Sequence, residues 1–182
     1  PNHAPASEPV SVASTPETDE IDQLFDDMQL DGIVSYTAFR QAVTGYRKIE
    51  QKSKSIMTLI DFSKPSTEKR LYVLDMKNKK LLYTSVVSHG KNSGGNYATS
   101  FSNKNGSYKS SLGFYLTENT YQGRNGYSLV LNGLEKGIND QAKQRAIVMH
   151  GAAYANPNIT ASAGRLGRSL GCPALPQALA KP

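Results

Sequence analysis

Arg145-Ala146-Ile147-Val148-Met149-His150-Gly151 is the stretch on which the reading of this chain turns. Arg145 to Met149 form a continuous run of mainly apolar residues, which predicts a buried central strand. Short segments that read as strands surround it. Ile56–Ile60 is one, and Leu71–Asp75 and Leu81–Val87 flank a Lys/Asn turn as a hairpin. Leu112–Thr117 and Tyr127–Leu131 follow a loop rich in Gly, Asn and Ser (90–111). Short strands broken by glycine turns define a mostly β chain, a sandwich or barrel with flanking helices. No internal repeat is visible.

The amino-terminal part has a different texture. Residues 1–18 are rich in Pro, Ser, Ala and Thr without periodicity, the composition of a flexible tether. In residues 19–50, Ile21, Leu24, Phe25 and Met28 recur at helical spacing behind an acidic first turn. Ser35 is a helix N-cap, followed by the stripe Tyr36, Phe39, Ala42, Val43 and Tyr46. These one or two short helices are expected to pack on a main domain spanning 51–182.

The chain has 182 residues, 38% of them hydrophobic, and no apolar run of the roughly 20 residues that a membrane span needs. Residue 1 opens no signal peptide, so the protein is either cytosolic or has lost a targeting segment. The net charge of +6 suits nucleic acid, an anionic membrane or an anionic polymer such as a cell wall. Nucleic-acid binders cluster their charge, whereas these lysines and arginines are scattered, which argues against that partner. No feature calls for a cofactor. The oligomeric state has no sequence signal.

Cys172 is the only cysteine, so no intrachain disulfide is possible. A lone cysteine is often just a small buried hydrophobe, and a lone histidine a satisfied structural residue. The context here favours chemistry. His150 and Gly151 end the buried run, where a scaffold presents reactive groups on loops. Ser169-Leu170-Gly171-Cys172-Pro173 follows a small-residue loop. A thiol is mostly protonated at neutral pH, and a neighbouring imidazole activates it. Pro173 lacks an N–H, so oxyanion donors are expected from Cys172, Gly171 and Leu170. Ser169, Arg165 and Arg168 flank the nucleophile as candidate substrate contacts, with His89 as a cleft-lining residue. Zinc held by His89, His150 and Cys172 is disfavoured because no pair has close ligand spacing.

At these residues the chain resembles the YkuD-type L,D-transpeptidase catalytic domain, in its murein L,D-transpeptidase branch. That family carries His-Gly, a spacer, then Ser/Thr-His-Gly-Cys. Here the pattern reads His150-Gly151, a spacer (152–168), and Ser169-Leu170-Gly171-Cys172 with the branch's Gly-Cys-Pro ending. Val86–Lys91 and Ser110–Tyr115 resemble its two glycine-marked strand ends, and the similarity runs from about Phe39 to Pro176. Leu170 departs from the usual histidine, and Pro173-Ala174 from the usual ending.

The resemblance implies acyl transfer on peptidoglycan tetrapeptide stems through a thioester on Cys172, with His150 as base. It implies sensitivity to carbapenems and an exported, periplasmic or cell-envelope location with the signal peptide removed. It also implies that the Gly151 carbonyl accepts from His150 Nδ1. Spacing alone leaves Asn132, Asp140 and Asn156 open as other partners. Water as acceptor makes the reaction an L,D-carboxypeptidase. A generic cysteine peptidase and a non-catalytic wall-binding module are the rivals. Pro176 is suited to open a helix over Gln177–Ala180, and the resemblance implies a further helix and closing strand, so the carboxy-terminal end is expected to be incomplete.

Overall fold

The structure, a computed structural model, describes residues 16–180. The expected tether lies outside the described residues as far as residue 15, but Pro16 already opens the first helix. Helix α1 spans Pro16–Asp27, with proline at the first helical position, where its missing N–H costs no hydrogen bond. Helix α2 spans Tyr36–Lys48, and the Ser35 side chain accepts from the Ala38 N–H at 3.3 Å as its cap. Ile21 and Phe25 of α1, with Met28 just past its end, meet Phe39, Ala42 and Val43 of α2, which is the pairing the two apolar stripes require. The Phe25 ring stands edge-on to Tyr36 with centroids 5.3 Å apart. The Tyr36 hydroxyl donates to Asp22 across the helix pair.

Three antiparallel strands, β1 (Ile56–Ile60), β2 (Leu71–Asp75) and β3 (Lys80–Ser85), form the first sheet in the order β1-β2-β3. The second sheet contains β4 (Tyr115–Gly123), β5 (Gly126–Gly133), β6 (Val148–Gly151) and β7 (Ala174–Leu175), in that order. Alternation along β2 organises the layers. Tyr72 and Leu74 face the helices, in one core with Met57 and Phe39. Leu71 and Val73 face the opposite way, against Met149 of β6 and Leu175 of β7. The result is helices on a sheet on a sheet. The two sheets stack as a sandwich, and among the described residues they do not close into the barrel that was the other expectation.

Two strands differ most from their sequence reading. The apolar run pairs as a strand only from Val148, because Ala146 takes a left-handed backbone (φ 57) at the end of a turn. The fourth strand starts at Tyr115, since Gly113 at φ 104 breaks extended pairing before it. It then runs on through polar residues to Gly123 as an exposed edge, with no alternation to betray it. Past β3 the chain crosses between the sheets: Ser88 bridges Ala174, and Gly90 bridges Ser169. That crossing brings residues 88–91 against the cysteine-bearing segment.

Candidate active site

His150 lies on β6 between Ser128 of β5, its antiparallel partner, and Ala174 of β7, its parallel partner. Its Nδ1 is 2.9 Å from the Gly151 carbonyl oxygen. A carbonyl only accepts, so Nδ1 carries the proton and Nε2 keeps its lone pair. Two of the other partners that spacing left open are engaged elsewhere. Asp140 Oδ1 accepts from Asn103 and from the Gly137 N–H, and Asn156 Oδ1 accepts from the Asn158 N–H. Gly151 has no room for a side chain: a Cβ there meets Ala180 Cβ at 3.0 Å and Gln177 Cα at 3.1 Å.

Cys172 sits two residues before Ala174, so the strand that pairs with β6 leads directly out of the cysteine turn. Its Sγ accepts from the Val148 N–H at 3.4 Å and lies 3.7 Å from the Ala146 carbonyl. Those are the thiol's hydrogen-bond partners, and His150 is not among them. The thiol does not stand free in a loop. Cys172 is 9% exposed and packs with Leu131, Ala142, Ile147 and Val148. Burial pushes the thiol above its ordinary value, against smaller opposing pulls from the Val148 N–H and the Arg145 charge. At neutral pH the sulfur is therefore a protonated thiol.

The turn around Cys172 is held from within and from both sides. Ser169 is 3% exposed; its hydroxyl donates to the Cys172 carbonyl at 2.6 Å and accepts from the Gly171 N–H at 3.1 Å. Ser169 is thus an internal brace and not an open substrate ligand, and the Gly171 N–H, an expected oxyanion donor, is already spent on it. The Ser169 backbone pairs with the crossing segment, donating to His89 O at 3.0 Å and accepting from Lys91 N–H at 2.8 Å. Gly171 adopts φ 129, where a β-carbon would lie 2.8 Å from Ile147 Cδ1 and 3.0 Å from Lys109 O. Leu170 projects outward, 60% exposed, in the turn that carries Cys172.

The remaining predicted residues divide. Arg168 is exposed on the rim, its Nη1 donating to Lys91 O at 3.0 Å across the same seam. Arg165 is half-buried and caps its own loop by donating to Leu166 O at 2.9 Å. His89 has no face to offer a substrate, being 1% exposed. Arg70 Nη2, an obligatory donor, lies 2.9 Å from its Nδ1, so Nε2 holds the ring proton and donates to Gly94 O at 3.1 Å. Burial and the Arg70 charge hold His89 below the usual histidine range, hence neutral. Arg70 is itself buried, donates twice to Val87 O, and is pulled down to about 10 by that burial. Among the described residues no cluster of three or more His, Cys, Asp or Glu side chains is arranged to hold a metal ion.

Sequence reasoning missed two contributors. Ser110 Oγ accepts from the Gly90 N–H at 3.0 Å and reaches Gly171 O at 3.5 Å, tying three segments at once. Arg145 heads the apolar run, and a guanidinium abutting a buried strand is itself a signal of a built-in partner set.

The His150 strand end and the Cys172 turn both lie within the span of a matching family model. The family model of the L,D-transpeptidase catalytic domain matches residues 31–182, and the chain belongs to that family. Neither a curated protein nor a solved structure gives a match. Among the described residues no helix is long and apolar enough to cross a membrane.

Proposed function

We propose that the protein is a cysteine-dependent acyltransferase acting on the tetrapeptide stems of peptidoglycan. The observation that carries this reading is the His150 Nδ1–H donated to Gly151 O, which leaves Nε2 as a base beside the strand that follows Cys172. Because the thiol is protonated at rest, the imidazole acts as a general base and not as half of a standing ion pair. A side-chain rotation takes Sγ off the Val148 N–H and towards Nε2. The thiolate then attacks the carbonyl between the third stem residue and the terminal D-alanine. The C–N bond breaks, His150 returns the proton to the departing amine, and a thioester remains. An acceptor amine attacks this ester, giving its proton to His150, and the thiol is restored. Water in place of the amine gives an L,D-carboxypeptidase. With the Gly171 N–H engaged, the N–H groups of Cys172 and Leu170 are the candidate oxyanion donors. Arg168 on the rim is placed to meet a stem carboxylate.

The net charge of +6 suits an anionic wall polymer, and the reading extends to an exported protein of the periplasm or envelope. The test is digestion of intact muropeptides, with products weighed by mass spectrometry. Loss of the terminal D-alanine, with or without a new cross-link, is expected from the parent chain and not from Cys172→Ala. Turnover by Cys172→Ala would refute the thioester route.

A further inference from the structure

Arg145 closes the turn that leads into β6 and is half-buried. Its guanidinium makes four hydrogen bonds. Nη1 donates to Ser102 O and Ser111 Oγ, each at 2.9 Å, and Nη2 to Ser107 Oγ at 3.1 Å and Lys109 O at 2.8 Å. All four acceptors are neutral, and among the described residues no carboxylate pairs with it. The fork is thus immobilised with its charge uncancelled. The same Nη2 borders the nucleophile turn, 3.3 Å from where a β-carbon at Gly171 would stand. An unpaired cation fixed one residue from a cysteine has an electrostatic consequence beyond holding a loop.

We propose that Arg145 is a positioning residue for the nucleophile, pinning its unpaired charge against the Gly171–Cys172 turn so that the thiolate is stabilised as His150 takes its proton. This rests on the reading of Cys172 as the nucleophile. The other titratable groups around the thiol are Tyr154 from the 3-10 turn Ala153–Ala155 and Tyr115 from β4, which packs against the same cluster, with His150 of β6 as the proton acceptor of the proposed reaction. Burial pushes Tyr154 up to about 12 and raises Tyr115 as well, so both are neutral at pH 7. Arg145 is left as the fixed charge. Its pull on the thiol opposes the burial of Cys172.

The experiment follows alkylation of Cys172 by iodoacetamide against pH, read by mass, in the full chain. The variants are Arg145→Gln, Arg145→Lys and Ser107→Asp, the last giving Nη2 a carboxylate partner while leaving the arginine in place. Arg145→Gln is expected to move the inflection to higher pH and slow alkylation at neutral pH by roughly three- to tenfold. Arg145→Lys should restore most of the parent profile despite lost hydrogen bonds, and Ser107→Asp should shift it in the same direction as Gln. Melting temperatures that fall while the inflection stays put would reduce Arg145 to a loop clamp and overturn the proposal. If Arg145→Gln does not fold, an unmoved profile in Ser107→Asp overturns it equally. A parent Cys172 inert to the reagent at every pH overturns both this proposal and the nucleophile reading, whereas a reactive Cys172 with an unmoved profile overturns this one alone.

Discussion

Replacing Gly171 by alanine tests the geometry of the nucleophile turn, because two separable penalties meet there. At φ 129 an L-residue is strained, which costs about 1–3 kcal/mol. The new methyl also meets Ile147 Cδ1 at 2.8 Å and the Lys109 carbonyl at 3.0 Å. The isoleucine tip can yield, but the carbonyl is backbone and Arg145 Nη2 donates to it at 2.8 Å, so overpacking adds about 1–3 kcal/mol. The sum is about 2–6 kcal/mol. For a chain of this size that lowers Tm by roughly 5–20 °C. Gly106→Ala is the comparison: φ is 75 there, but nothing lies within 4 Å of the added carbon, so strain acts alone. Urea unfolding of both variants, alongside turnover on tetrapeptide stems, reads the two penalties separately. Gly171→Ala should be clearly the less stable and should lose at least about tenfold in turnover, since Cys172 moves with it. A stability loss below about 1 kcal/mol, or one no larger than that of Gly106→Ala, refutes the packing argument. Full turnover in a destabilised variant refutes the placement of Cys172.

Ser169→Ala strands the Cys172 carbonyl and the Gly171 N–H and should cost about 1–3 kcal/mol, lowering kcat while leaving KM nearly unchanged; a rise in KM alone would make Ser169 a substrate ligand instead. His89 is held neutral in the fold, so the unfolded chain binds the extra proton first. Stability should therefore fall as pH drops below about 6.5, and His89→Gln should flatten that slope in urea titrations between pH 5 and 8. Cys172→Ala should abolish turnover and also cost about 1 kcal/mol, because the sulfur is packed and accepts from Val148; unchanged stability would return it to an open loop. Incubation with a carbapenem should add the mass of the whole drug to a peptide containing Cys172, and no adduct after long exposure counts against the thioester route.

Local signals made part of this molecule legible in advance. Helix α2 announced itself through Ser35 and a stripe of five residues, and β1 and β2 through compact apolar runs, because in each case the deciding interactions are near in sequence. The family pattern of His150-Gly151 followed by Gly171-Cys172 was visible in the sequence. What surrounds it was not. The brace by Ser169, the burial of His89 against Arg70 and the clamp of Arg145 on residues 102–111 all depend on partners that only the folded topology brings near. Strand β7 has two residues, and its existence is owed to β6 and to Ser88 rather than to its own propensity.

The division of the interior has a consequence for how the protein fails. One core joins the helices to the first sheet and draws only on residues between Ile21 and Leu81. The cluster around the thiol is smaller and draws on Tyr115, Leu131, Ala142, Ile147, Val148 and Cys172. Cooperative units of unequal strength open at different denaturant concentrations. The half that carries His150 and Cys172, resting on small clusters and on polar stitches between loops, is expected to open first. Loss of activity in dilute urea will then precede loss of helical signal, and an enzyme that still looks folded by its helices will already be silent.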